Sequence, residues 1–258
     1  MEFVDTHCHL QFEKYNGRQS EIITDASHAG VKRLVCVGTT LADSLTAVQI
    51  AQSNDHVWAT AGAHPHDAAA FVSDPENSKK LKSVASKAKV VAVGETGLDY
   101  YRNFSAKKDQ QQALRNHIEV GIELGLPFVF HIRDAWDDFW QIFDSYKDLS
   151  GVVHSFSTHS GHLDEALSRG LCIGLNGIMT FTKELNQLEA AKAVPLDRLV
   201  LETDAPFLTP APFRGELCEP KHVAATAEFL ANLRSENLSD LASATTANAI
   251  KLFNLKLV

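Results

Sequence analysis

Eight short apolar runs, each followed by a longer stretch of helical period, constrain this chain more than any other feature of its sequence. The runs lie at 2–5, 33–37, 57–61, 90–93, 128–131, 151–154, 171–174 and 198–201, and each is predicted to be a strand. Between them stand segments such as 107–125, where Leu114, Ile118 and Ile122 recur every four residues and predict one buried helical face. Gly125 and Pro127 end that helix, and the next strand follows at once. A repeated βα pattern implies a parallel sheet covered by helices. Periodicity alone fits an open doubly wound sheet as well as a closed barrel, so the placement of the chemistry has to separate them.

No linker, charge block, low-complexity tract or fixed-period repeat divides the 258 residues, which predicts one domain spanning 1–258. Apolar residues make up 45%, enough for a sizeable core, and charged residues 22%. The N-terminus has neither a basic nor an apolar signal region, and no apolar run approaches the roughly 18 residues needed to cross a bilayer. Cys8, Cys36, Cys172 and Cys218 are scattered and lack CxxC spacing, which suits free thiols rather than a zinc ribbon or a disulfide framework. These features predict a cytoplasmic protein with no membrane association and no obligate protein partner. The formal net charge of −8 argues against a broad basic face that coats duplex DNA.

The strongest local signal is Asp5-Thr6-His7-Cys8-His9. Residues i and i+2 of a strand face the same side, roughly 6–7 Å apart, so His7 and His9 can grip one metal ion while Cys8 points into the packing layer. Four more polar groups follow later strands: Glu95 after 90–93, His131 at the end of 128–131, His154 at the end of 151–154, and Asp204 after 198–201. In a barrel the C-terminal strand ends surround one axis, so groups remote in sequence converge there. Six such groups at equivalent strand ends predict a (β/α)8 TIM barrel of the metal-dependent hydrolase type. Four imidazoles and two carboxylates suit two divalent ions, with Glu95 as the natural bridge because a carboxylate has two oxygens to share. Two such ions would bring the chain from −8 to about −4 and supply locally the positive charge that phosphate requires.

The same residues carry a resemblance to a known family over nearly the whole chain. His7-Cys8-His9 resembles the first-strand HxH of TatD-type deoxyribonucleases in the amidohydrolase superfamily, and Gly62-Ala63-His64-Pro65-His66 is similar to their G-x-H-P-H segment. Gly94-Glu95-Thr96-Gly97-Leu98-Asp99-Tyr100, His131-Ile132-Arg133-Asp134-Ala135 and Leu201-Glu202-Thr203-Asp204-Ala205-Pro206 match three further elements, and Asn248 with Leu252-Phe253 resembles the closing helix. The resemblance implies that His7, His9, Glu95, His131, His154 and Asp204 are the metal ligands and that Asp204, with Glu95, serves catalysis by orienting or deprotonating the attacking water. The chain departs from the family pattern twice. Ser155-Phe156-Ser157-Thr158 leads into His159-Ser160-Gly161-His162, longer than the usual Cys-Phe-Ser-Gly, and Cys218 replaces Asn in the late R-G-x-x-N-E-P element.

His64, His66, Arg133 and Arg214 form a second expected group that would hold phosphate or the leaving group, arginine being suited to bidentate phosphate contact. Tyr100, Tyr101 and Phe156 are candidates to stack on an unpaired base. The resemblance implies a 3′-to-5′ exonuclease acting on single-stranded or frayed DNA, with hydrolysis of another ester or amide, such as D-aminoacyl-tRNA deacylation, as the alternative. Glu95 stands where a carboxylated-lysine amidohydrolase would need its bridging lysine, and the presence of all six ligand residues argues against an idle scaffold. Mg²⁺ is the ion expected for turnover, while imidazole ligands also suit Zn²⁺, Mn²⁺ or Fe²⁺.

Overall fold

Strands made of Val, Leu, Ile, Phe and Ala with few polar interruptions are buried on both faces, as parallel strands covered by helices must be. The computed structural model describes residues 1–256. Along the chain run β1 (Phe3–Cys8), α1 (Gln19–His28), β2 (Val31–Cys36), α2 (Leu41–Gln52), β3 (Val57–Ala61), α3 (Ala68–Val72), α4 (Asn77–Ala85), β4 (Val90–Asp99), α5 (Lys107–Leu124) and β5 (Phe128–Arg133). They are followed by α6 (Trp136–Phe143), β6 (Gly151–Val153), α7 (Ser160–Ser168), β7 (Cys172–Leu175), α8 (Leu185–Ala193), β8 (Leu199–Leu201), α9 (Val223–Arg234) and α10 (Leu238–Phe253).

The chain divides into two compact units, Met1–Cys36 together with the stretch from Ser155 onward, and Val37–His154. In the first, β1 pairs in parallel with β2 through Phe3↔Val31 and Cys8↔Cys36, and β7 pairs with β8 through Ile173↔Leu199 and Leu175↔Leu201. β8 lies against β1, and a parallel bridge joins Cys8 to Ala205 just beyond β8. In the second, β3, β4, β5 and β6 pair in parallel in that order. Strand order follows chain order from β1 to β8, and with β8 beside β1 this is the connectivity of a (β/α)8 barrel.

All eight predicted strands are present, and the differences lie at their ends. β1 begins at Phe3 and continues to Cys8, so His7 belongs to the strand itself. β4 runs six residues beyond the predicted end at 93 because its pairing with β5 resumes after a register shift, through Thr96↔Phe130, Gly97↔His131 and Asp99↔Arg133. Gly97, at φ 148°, allows that resumption, since a Cβ there would collide with the carbonyl of His131.

The predicted face of α5 needs one correction. Leu114 and Ile118 are buried with Ala113, His117 and Gly121, but Ile122 is 49% exposed. Four residues turn a helix through 400°, so each step of four drifts about 40° and the third member leaves the face. The helix ends as expected, with Gly125 in the left-handed region at φ 65°. Asn248 of α10 donates from Nδ2 to the carbonyls of Leu196 and Leu199, both at 2.8 Å, which ties the last helix to the start of β8. The four cysteines are buried without a disulfide, and among the described residues no helix is long and apolar enough to cross a membrane.

Candidate metal centre

In the first unit β1 presents His7, and His9 follows directly after its end, both buried. The chain beyond β8 is pinned beside them: Asp204 N–H donates to the His7 carbonyl at 2.8 Å, and His9 N–H donates to the Ala205 carbonyl at 2.8 Å. These bonds bring Asp204 Oδ1 to 3.7 Å from His7 Nε2 and 3.3 Å from His9 Nε2. Asp204 has φ 60°, a left-handed backbone that aspartate tolerates better than most residues. Asp5 braces this turn, accepting from the Thr203 hydroxyl at 2.6 Å, the Thr203 N–H at 2.9 Å and the His7 N–H at 3.2 Å. Burial pushes its carboxyl up to about 8, against the pull of those three donors.

In the second unit β4 carries Glu95 and Asp99, both buried. Oε1 of Glu95 stands 2.9 Å from His131 Nδ1, 3.4 Å from His154 Nε2 and 3.4 Å from His64 Nε2. His131 is held from its other side, Nε2 lying 3.3 Å from Asp99 Oδ2, which also meets His66 Nε2 at 2.9 Å. Burial alone would raise Asp99, but the hydrogen bonds from His131, the Arg102 N–H and His66 outweigh it and hold the carboxyl well below the usual carboxylate range. For His131 burial favours the neutral ring, yet its bonds to Asp99 and Glu95 win and raise its pKa. His64 goes the other way: burial, opposed by Glu95, pushes it down to about 3, so the ring is neutral near pH 7. Its Nδ1 accepts from the His66 N–H at 3.1 Å, which leaves the proton on Nε2, the atom facing Glu95.

The structure therefore groups His7, His9 and Asp204 in one unit, and Glu95, His131 and His154 in the other. The expected substrate residues are distributed differently. His64 joins the Glu95 group, His66 anchors Asp99, the Arg133 guanidinium lies 3.9 Å from the Tyr101 ring centre, and that of Arg214 lies 3.9 Å from Phe181. Of the three aromatics expected to stack on a base, Phe156 is buried and Tyr100 is tied by its hydroxyl to Asp138 at 2.7 Å. Tyr101 alone remains open. Cys218 is buried and its carbonyl accepts from the Tyr15 hydroxyl, so it packs inside its loop. In the other divergent loop Thr158 Oγ1 lies 3.0 Å from His162 Nδ1.

Two buried acids were not foreseen as site residues. Glu202 Oε1 accepts from the Ser155 N–H at 2.7 Å and from Asn176 Nδ2 at 3.2 Å, and Gly174 is required beside it because a Cβ would occupy the place of its carboxylate. In the sequence Asp99 stands out only as part of the Gly94–Tyr100 motif. The signal for both was present: each is a further acid beside a chosen one, two residues before Asp204 and four after Glu95.

The donor set suits divalent cations, since imidazole nitrogens of His131 and His154 within 3.4 Å of one carboxylate oxygen form the kind of N/O cluster that such ions organise. Comparison with known proteins agrees. The sequence profile of the TatD related DNase family matches residues 4–254. The chain is 36% identical over 253 residues to the uncharacterized metal-dependent hydrolase YabD of Bacillus subtilis, covering 97% of this chain and 98% of that one. It is 35% identical over 260 residues to the 3′-5′ ssDNA/RNA exonuclease TatD of Citrobacter rodentium, covering 98% of each. The crystal structure of YJJV, a TatD homologue from Escherichia coli K12, superposes with a TM-score of 0.90 at 28% identity over 98% of both chains. The chain is a metal-dependent hydrolase and belongs to the TatD related DNase family.

Proposed function

We propose that this protein removes nucleotides from the 3′ end of single-stranded or frayed DNA by phosphodiester hydrolysis, with His7, His9, Glu95, His131, His154 and Asp204 holding two divalent cations. The observation that carries this reading is one oxygen of Glu95 facing the imidazoles of both His131 and His154. The relative named as an ssDNA/RNA exonuclease supports the choice of substrate. Bound divalent cations would polarise the phosphoryl group and acidify the attacking water.

The chain's own residues supply the remaining tasks. Asp204, its side chain 17% exposed and steadied beside His7 and His9, accepts the proton of the attacking water. His64 offers its Nε2–H, fixed by the bond at Nδ1, to a developing oxyanion. Asp99 fixes the ring of His131 and leaves Nδ1 facing Glu95. Arg214 spends one guanidinium nitrogen on the Thr209 carbonyl at 2.8 Å and keeps further N–H groups for phosphate. The test is a metal-supplemented assay of the purified protein on 3′- and 5′-labelled single-stranded DNA, RNA and aminoacyl-tRNA. Shortening of DNA from its 3′ end is expected. Turnover of aminoacyl-tRNA alone would replace the nuclease reading with a deacylase.

A further inference from the structure

The loop between β4 and α5 displays two aromatic rings to solvent. Tyr101 is 59% exposed and Phe104 is 69% exposed, the latter as open as any large apolar side chain apart from Leu185 among the described residues. Single exposed apolar residues are ordinary, but these two stand on a frame that is fixed at both ends. At one end the Arg102 N–H donates to Asp99 Oδ1 at 2.8 Å and the Tyr100 N–H donates to the Arg133 carbonyl at 2.9 Å. At the other the buried Ser105 hydroxyl donates to the His66 carbonyl at 2.7 Å. The fully buried Gln110 side chain spans the two, accepting from the Asp99 N–H at 2.7 Å and donating to the Asp99 and Ser105 carbonyls at 3.1 and 2.8 Å. Tyr101 and Phe104 are held out by this frame.

Their neighbours indicate what they would meet. The Arg133 guanidinium lies 3.9 Å from the Tyr101 ring centre, and that of Arg102 lies at 5.7 Å. Phe104 stands edge-on to His66 at 4.8 Å, and His66 is bonded to the Asp99 that holds His131. Flat apolar faces interleaved with guanidinium cations match a ligand that alternates flat rings with phosphates. We propose that Tyr101 and Phe104 form a stacking platform for an unpaired nucleobase, with Arg102 and Arg133 on its phosphates. This inference deepens the nuclease reading and rests on it: the platform would select strands whose bases are free to unstack.

The experiment compares binding of an oligothymidylate and an abasic oligonucleotide of equal length and charge, each carrying a terminal fluorophore, in EDTA to stop turnover. The proteins are the wild type, Tyr101→Ala/Phe104→Ala, and the ring-conserving Tyr101→Phe/Phe104→Tyr. If the platform works, the wild type binds the base-bearing strand about tenfold more tightly than the abasic strand. That preference disappears in the alanine variant and survives in the ring-conserving one. Equal affinity of the wild type for the two strands, or a preference that persists in the alanine variant, overturns the platform. Hydrolysis of DNA by the metal-supplemented wild type is scored separately, so the platform can fail while the nuclease reading stands. Loss of all oligonucleotide binding and hydrolysis rejects both.

Discussion

Asp99 holds His131 from the side opposite Glu95: its Oδ2 stands 3.3 Å from Nε2, while Nδ1 of the same ring faces Glu95 Oε1 at 2.9 Å. A ring clamped this way has one orientation, and the carboxylate behind it raises the basicity of the nitrogen in front. Replacing Asp99 by Asn keeps the shape but removes that charge. Disturbing such outer partners typically costs about 10–100-fold in metal affinity. Titration calorimetry with Mn²⁺ or Zn²⁺ on Asp99→Asn should show a loss of that order. Unchanged affinity would mean that Asp99 only braces its loop.

Much of this site could be read from the sequence because it depends on short spacing. His7 and His9 stand two apart where β1 ends, and Glu95, His131, His154 and Asp204 each mark the end of an apolar run. The role of Asp99 could not be read in the same way. It depends on β4 continuing to pair with β5 after a register shift, an event set by backbone contact at Gly97 and not by side-chain pattern. Ile122 failed because a spacing of four only approximates the helical repeat. The sequence marks His64 as a substrate residue, and its neighbourhood with Glu95 emerges only when β3 and β4 lie side by side.

Asp204 is expected to be indispensable to turnover and dispensable to folding. Its left-handed backbone is one that asparagine also tolerates, so Asp204→Asn should keep the turn, the bond to the His7 carbonyl and a normal circular-dichroism spectrum. Losing a general base costs about 10²–10⁴ in rate, and weaker metal binding adds to that. Retention of more than about a tenth of wild-type kcat would remove Asp204 from the proton transfer.

His117 predicts an acid-sensitive fold. It is fully buried on α5, accepts from the Ala63 N–H at Nε2 (2.9 Å), and donates from Nδ1 to the Ala113 carbonyl at 2.6 Å, an arrangement only the neutral ring can make. Burial pushes its pKa down from 6.5 to about 4. The unfolded chain therefore takes up this proton first as pH falls, and stability is lost between about 6.5 and about 4, with no further loss from this group below. At about 1.4 kcal/mol per pH unit, the loss is on the order of 3 kcal/mol. Urea unfolding of the wild type across this range should be steeper in pH than that of His117→Gln. Identical pH slopes would show that the ring does not stay neutral in the folded state.

Cys218 stands where the family motif carries asparagine, so its replacement by Asn tests whether the difference concerns substrate or packing. The structure favours packing. The residue is fully buried, its carbonyl accepts from the buried Tyr15 hydroxyl, and burial pushes its thiol well above the ordinary cysteine range. An asparagine side chain brings an amide donor pair and a carbonyl into space now filled by one weakly polar sulfur, and each buried group left without a partner costs about 1–3 kcal/mol. In a chain of this size about 1 kcal/mol moves Tm by roughly 2–4 °C, so Cys218→Asn should melt several degrees lower. Because the side chain is enclosed, KM and product length on single-stranded DNA should stay within about twofold of the wild type, as expected when no transition-state or substrate contact is touched. Cys218→Ala, which introduces no polar group, should lose less. A changed KM or product pattern with an unaltered melt would place the side chain in contact with substrate and overturn the packing role.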